Sequence, residues 1–274
     1  MGIIMGIGEH RTWEYLQQEK HNILIVLDIS RSMLAEDIMP SRIEAAKETI
    51  NTFLTDRRDD VFGMIVFAGR ALVSIPFSSD TSGITSVISG IDPYSIRQDL
   101  PWLSGTAIGD ALLLANHTLS WVTDKSSIIL ITDGRANVGI DPLIAARESA
   151  WLDISVFTIA IWGTSDEVLY YTDAYTQKRV ILQDENWEPL KSDIDETLLR
   201  TLSEITWGAY FRAAEAKQLY GYWDTISEQI GKETKKVTET RYISYRPYLF
   251  VALVVLLLIE RIATTRIFYK NRAK

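Results

Sequence analysis

The sequence predicts an α/β fold: a doubly wound, mostly parallel six-stranded sheet with one antiparallel edge strand, plus a C-terminal transmembrane helix. Three observations carry this expectation. Short apolar runs such as Ile23–Leu27 and Ile128–Ile131 are bounded by polar residues and read as strands buried on both faces. Segments with apolar residues at helical spacing lie between them, the alternation that builds a parallel sheet. Two of the runs stop at an aspartate, Asp28 and Asp133, at the strand end where open α/β sheets bind ligands.

Taken in order, residues 1–21 are a lead-in segment, and 23–28 form the first strand. Pro40-Ser41 opens a helix to about Asp56, with Ile43, Ala46, Ile50, Phe53 and Leu54 on one face. Val61–Phe67 is a second buried strand, Ala68-Gly69-Arg70 a tight turn, and Ala71–Ile75 an edge strand ended by Pro76. Thr81–Ile91 is helical, and Asp92–Gly105 is a loop. Thr106 is then expected to cap a buried helix from Ala107 to about Trp121. Ser127–Thr132 is the next strand, and Asp141-Pro142 is an N-cap followed by proline at the first helical position. After the strand Ile154–Ile161, residues 163–195 interrupt the alternation. They read as an inserted hairpin in which 179–182 and 187–190 flank a turn at Asp184-Glu185-Asn186. Asp195 caps a helix stopped at Gly208, Ala209–Arg212 is the last strand, and Glu215–Ile230 is a final amphipathic helix. Residues 22–231 thus form the main domain, and 232–246 a charged connector.

Tyr248–Ile259 holds twelve uncharged residues, short of the roughly 20 a spanning helix needs. Extension to 247–269 reaches that length with Glu260, Arg261 and Arg266 in its far half, where arginine snorkels and Glu260 pairs with a basic neighbour. The run is apolar all round, unlike a core helix, so a spanning segment with a basic tail at 270–274 is expected.

The chain has 274 residues, 47% hydrophobic, with 28 Lys+Arg against 36 Asp+Glu and a net charge of −8. That balance argues against general nucleic-acid binding. With no cysteine, disulfides and thiolate chemistry are excluded, and His10, His21 and His117 show no metal-ligand spacing. No Gly-rich phosphate loop and no nucleophile elbow is present.

The chemistry concentrates in Asp28-Ile-Ser30-Arg31-Ser32, where a carboxylate and two hydroxyls alternate just past a strand. Hard oxygen donors with little negative charge suit Mg²⁺ or Mn²⁺. Thr106 and Asp133 complete the set if the strands ending at Asp28 and Asp133 are neighbours. This pattern resembles the metal-ion-dependent adhesion site of von Willebrand factor A domains over about residues 22–230, which implies their Rossmann-like fold. By resemblance, Ser30, Ser32 and Thr106 bind the ion through hydroxyls, while Asp28 and Asp133 act nearby, largely through water. Arg31 departs from the glycine common there; it either points away from the ion or adds positive charge to the rim.

Met33–Ile38, Pro40-x-Arg42-x-Glu44-Ala45-Ala46-Lys47, Val66–Gly69, Gly105–Gly109 and Tyr210–Ala213 resemble the Bat-type (aerotolerance) membrane proteins. That resemblance implies an N-terminally short version of a family that usually has two membrane helices ahead of the domain. It also implies association with other such membrane proteins and with MoxR-type AAA+ ATPases in assembly or stress tolerance. The implied location is the bacterial inner membrane with the domain extracytoplasmic; five basic residues on each side of the apolar run leave orientation undecided by charge.

The function expected is Mg²⁺-dependent capture of a protein whose Asp or Glu carboxylate completes the ion's shell, without enzymatic turnover. Arg31, Trp102, Tyr170, Tyr171 and Trp187 are the candidate partner surface. The alternatives are a metal-dependent hydrolase, which needs a placed base or second ion, and an adhesin-like extracellular ligand binder.

Overall fold

Ile23, Ile25 and Leu27 enter one hydrophobic core while Leu24 and Val26 enter another, as a period-two strand between two helical layers requires. The structure, a computed structural model, describes residues 8–18, 20–100, 103–122, 125–163, 168–173, 176–183, 187–191, 194–231 and 234–272. In chain order the elements are β1 (Gly8–Gln18), β2 (Asn22–Asp28), α1 (Arg42–Asp56), β3 (Val61–Phe67), β4 (Ala71–Ser78), α2 (Thr81–Ser89), α3 (Ile108–Leu119), β5 (Ser126–Thr132), α4 (Pro142–Trp151), β6 (Ser155–Ile161), β7 (Tyr170–Thr172), β8 (Arg179–Ile181), α5 (Glu196–Ile205), β9 (Tyr210–Ala213), α6 (Ala216–Ile230), β10 (Thr234–Ser244) and α7 (Arg246–Arg272). They divide into a unit of Lys20–Lys232 and a unit of Met1–Glu19 with Glu233–Lys274.

In the larger unit six strands lie in the order β4-β3-β2-β5-β6-β9, all parallel except β4, which runs antiparallel beside β3. This is the sheet expected from the sequence. From β2 the chain goes first to β3 on one side and later to β5 on the other. The carboxyl ends of β2 and β5 therefore flank the switch point, where such sheets open a crevice. Residues of α1, α2 and α6 share one core, where Phe53 stacks on Trp223 at 4.4 Å; residues of α3, α4 and α5 share the other.

Local chemistry accounts for the helix ends. Asp141 accepts from Leu143 N at 2.9 Å with Pro142 at the first position, and Asp195 accepts from Leu198 N at 2.9 Å. Gly208 follows α5 where a Cβ would stand 2.0 Å from Val156 O, so the return to the sheet admits only glycine. At the opposite edge from the crevice, buried Arg57 pairs with Asp60 and donates to Ser227 O at 3.1 Å and Gly231 O at 3.3 Å. Asp60 in turn accepts from His21 N at 3.0 Å. One ion pair thus binds the point where the chain enters this unit to the point where it leaves.

Several expectations are corrected. β4 does not stop at Pro76 but continues to Ser78, because the proline falls at a register shift on an open edge, where its missing N–H breaks no ladder bond. In the insert, β8 pairs antiparallel with β7, and the segment after it adds two bridges, Gln183 to Pro189 and Lys191 to Val168. The turn expected at 184–186 lies outside the described residues. The polar lead-in and the charged connector are not irregular: β1 and β10 pair antiparallel from Gly8↔Ser244 to Gln18↔Thr234.

α7 is one continuous helix of 27 residues, and Tyr248–Ile259 within it is exposed. That uncharged run is about 18 Å long at 1.5 Å per residue, against about 30 Å of hydrocarbon, and Glu260 and Arg261 end it. Among the described residues no helix is long and apolar enough to cross a membrane, so the spanning segment expected at 247–269 is not supported. The side chains of 263–269 lie outside those described.

Candidate metal centre

Asp28, the last residue of β2, is buried and ties the two strands of the switch point together. Its Oδ1 accepts from Ser30 N at 2.8 Å, and its Oδ2 accepts from Thr132 Oγ1, at the end of β5, at 2.6 Å. The chain then turns through a short 3₁₀ segment, Arg31–Leu34. This sets Ser30 Oγ 3.0 Å from Ser32 Oγ. Ser32 Oγ donates to Asp133 Oδ1 at 2.8 Å. With its proton on Asp133, Ser32 accepts from Ser30, and both hydroxyls keep a lone pair free.

Thr106 does not cap α3; Ala107 holds the N-cap position. Asn137 clamps the Thr106 backbone instead, with Oδ1 accepting from Thr106 N at 2.7 Å and its own N donating to Thr106 O at 3.2 Å. The loop carrying Asn137 lies flat on the start of α3, where a Cβ on Gly109 would stand 1.9 Å from Ile140 O, and Asp110 accepts from Ile140 N at 2.9 Å. Ser30, Ser32 and Thr106 thereby line one cleft of about 340 Å³, with Asn137 and Gln98 on its walls.

Behind the hydroxyls lies a buried charge cluster. Arg42, 0% exposed at the start of α1, donates from Nη1 to Asp133 Oδ2 at 2.7 Å. Its Nε and Nη2 donate to the two oxygens of Asp37 at 2.7 and 2.6 Å. Burial opposes the charge on Arg42, but Asp133 and then Asp37 hold its pKa above the ordinary value. Burial pushes Asp37 up as well; its bonds to Arg42 outweigh that and leave it below the ordinary range. Asp28 has no cation beside it: burial first, and the Asp133 charge second, push it up to about 7. Burial raises Asp133 also, against the pull of Arg42 and Ser32.

A divalent ion fits this arrangement. Oxygens adjacent in an octahedral shell of about 2.05 Å radius stand about 2.9 Å apart, and the two serine hydroxyls stand 3.0 Å apart. Asp28, Asp37 and Asp133 against Arg42 leave two uncompensated negative charges when all are ionised, matching one divalent cation. Among the described residues no group of three or more His, Cys, Asp or Glu is placed to hold a metal, so this centre rests on hydroxyls with carboxylates behind them.

Residues 23–135 match the family described as von Willebrand factor type A domain. The chain carries such a domain. It is similar to a UPF0353 protein of Nocardia farcinica, 27% identical over 259 residues, 87% of this chain and 70% of that protein. It spans 62% of the UPF0353 protein of Mycolicibacterium paratuberculosis, at 25% identity. Among solved structures, BatB of Bacteroides thetaiotaomicron is 28% identical with a TM-score of 0.68, over 77% of this chain and 99% of that one. An aerotolerance-related membrane protein of Bacteroides fragilis is 27% identical with a TM-score of 0.65, over 76% and 98%. The likeness to Bat-type proteins expected from the sequence is therefore found. Proximal thread matrix protein 1 of the mussel byssus, 17% identical with a TM-score of 0.56 over 83% of this chain and 50% of that one, shares the fold; its structure has a zinc-occupied MIDAS motif.

Of the residues expected to form a partner surface, Arg31, Tyr171 and Trp187 come together on one rim. Arg31 points across the crevice: its N donates to Gln98 Oε1 at 3.1 Å and its Nη2 to Gln98 O at 3.1 Å. Gln98 is itself fixed, with Nε2 donating to Ile29 O at 2.8 Å and Pro93 O at 2.7 Å. Arg31, Tyr171 and Trp187 line a second, larger cleft of about 860 Å³. Tyr170 does not line it; its ring lies under the Arg179 guanidinium, 4.5 Å away. Tyr171 also packs against the small core of Ala35, Leu169 and Leu182. Trp102 lies outside the described residues.

Arg42, Asp37, Thr132, Asn137 and Gln98 went unnoticed as site residues in the sequence. For Arg42 a signal existed, since a cation in the first turn of a helix opposes the helix dipole and needs a specific anion. The amides of Asn137 and Gln98 carry no such mark.

Proposed function

We propose that the type A domain captures a partner protein through a divalent ion, Mg²⁺ or Mn²⁺, held at Ser30, Ser32 and Thr106 with Asp28 and Asp133 behind. The observation carrying this is the convergence of three hydroxyls on one open cleft in front of two buried carboxylates. When bound, the ion supplies a Lewis-acidic position that a hard, charged oxygen fills best, and an Asp or Glu carboxylate of a partner is such a ligand. The chain's own groups fix that position: Ser32 is aimed by Asp133, Asp133 by Arg42, and Thr106 by Asn137.

Docking is favoured over hydrolysis by the cleft's lining. Among the described residues its one charged lining side chain is Arg31, and both oxygens of Asp28 are engaged by Ser30 and Thr132, so no described carboxylate or imidazole faces the cleft as a general base. We place the protein in association with the bacterial inner membrane, with the domain extracytoplasmic, working with related membrane proteins and a MoxR-type AAA+ ATPase. The exposed apolar run of α7 and the likeness to an aerotolerance-related membrane protein support that reading.

Calorimetric titration of the full chain with Mg²⁺ and Mn²⁺ tests the centre. Single-site binding is expected, weakened about tenfold or more by Ser30→Ala, Ser32→Ala or Thr106→Ala; unchanged binding in all three overturns it. Crosslinking capture of partners should be lost with chelator and with Asp28→Ala. Capture that persists in both refutes the docking role.

A further inference from the structure

Beside the metal centre lies the larger cleft of about 860 Å³ between the 93–99 segment and the insert. The two clefts are continuous at their shared lining residues Arg31, Gln98 and Gln183. Their chemistry differs. The smaller is lined by hydroxyls and amides, whereas Tyr94, Tyr171, Val180, Ile181 and Trp187 give the larger an apolar, aromatic lining. Tyr94 is 71% and Trp187 79% exposed, so large rings stand at its mouth. Its volume is within the range of sites that enclose a ligand group.

The cleft is also built before anything enters it. Glu36 N donates to Tyr170 O at 3.0 Å, and the Glu36 carboxylate accepts from Thr172 N at 2.6 Å and Thr172 Oγ1 at 3.1 Å. Asp37 accepts from Gly163 N at 2.7 Å. The insert wall is thus fastened to the loop that carries Ser30 and Ser32, which lowers the ordering cost of binding. The charged lining residues are Arg31, Arg97 and Asp99, and Asp99 is spent on Arg97 at 2.7 Å. Asp173 and Asp92 also act on Tyr94 at the mouth, so attraction for a partner's carboxylate is local to Arg31 and the adjoining metal centre rather than a positive field over the whole cleft.

We infer that the larger cleft takes an aromatic or branched apolar side chain from the same partner segment whose carboxylate reaches the ion. The partner is therefore an extended acidic peptide segment that pairs Asp or Glu with a large apolar residue a few positions away. This rests on the metal-dependent docking proposed above. The rings at the mouth are the anchors, and Arg31 stands between the two contacts as the charge that sets their register.

Random peptides displayed on phage and selected on the full chain in Mg²⁺ test it. Enriched sequences are expected to share a carboxylate and a nearby large apolar residue. The best of them, made synthetically, should bind about tenfold or more weakly to Val180→Asp/Ile181→Asp and to Trp187→Ser. On those variants, replacing the peptide's apolar residue by serine should change nothing further, and Mg²⁺ affinity should match the wild type. Failure to enrich any peptide, enrichment of peptides without the apolar residue, or wild-type affinity in both variants overturns the inference. Binding that survives chelator and Asp28→Ala, yet falls in the cleft variants, instead overturns the metal-dependent reading and leaves the cleft in place.

Discussion

Replacing Arg42 by methionine removes a fully buried cation from between two carboxylates while keeping most of its volume. Three charge-assisted hydrogen bonds of 2.6 to 2.7 Å disappear, and among the described residues Asp133 is left buried with Ser32 as its remaining side-chain donor. Breaking one partner out of a buried ion pair costs about 3–5 kcal/mol. For a domain of this size that corresponds to a fall in Tm of about 10 °C. Urea unfolding of the full chain in chelator is the assay, run as a double-mutant cycle with Asp133→Asn. With the Asp133 charge gone, the same Arg42→Met change should cost about half as much, because only Asp37 is orphaned. A loss under about 1 kcal/mol, or an equal loss in both backgrounds, refutes the view that Arg42 neutralises Asp133.

Other consequences are open to direct measurement. Asn137→Ala should weaken Mg²⁺ binding about 10- to 100-fold with little change in unfolding, as read by titration calorimetry. Gly109→Ala places a methyl against Ile140 O and should cost about 1–3 kcal/mol, with Mg²⁺ affinity falling alongside; unfolding curves and titration check both. The Asp28 carboxyl is pushed from 3.8 to about 7 in the folded chain, so folding favours its protonated form. That stabilisation is complete below about pH 4 and is lost as pH rises through 7, on the order of a few kcal/mol without metal; denaturant midpoints across this range should fall with pH in chelator and flatten in Asp28→Asn. Glu36→Ala should speed amide exchange at Tyr171 and Thr172 while β2 and β5 stay protected, as seen by hydrogen exchange.

The sheet was legible because its strands are bounded apolar runs: Ile23–Leu27 and Ile128–Ile131 have no other use in a water-soluble layer, and their order follows from alternation with helices. Asp28, Ser30, Ser32 and Asp133 were legible because each sits at a strand end where a strand interior would exclude it. Thr106 was found for a different reason than the one that holds it, since a threonine before a helix reads as a cap and the clamp from Asn137 leaves no trace in spacing. The buried Arg42 was quoted but not understood, because pairing with Asp133 depends on a contact 91 positions away. The β1–β10 ladder was missed altogether. Its strands are 216 positions apart at their nearer ends, and strands this polar give only a weak pairing signal.

The clasp around Arg57 fixes more than the meeting of two chain segments. Because the domain is entered and left at one edge, the candidate metal centre and the points where the chain joins the domain lie at the two ends of β2. Tension between them runs lengthwise along seven residues, hydrogen-bonded on one side to β3 and on the other to β5. A strand pulled along its axis yields only if its ladders slip together, whereas one peeled sideways opens bond by bond. The domain is therefore built as a tie rod between the edge that carries Asp28 and the points where the chain enters and leaves it.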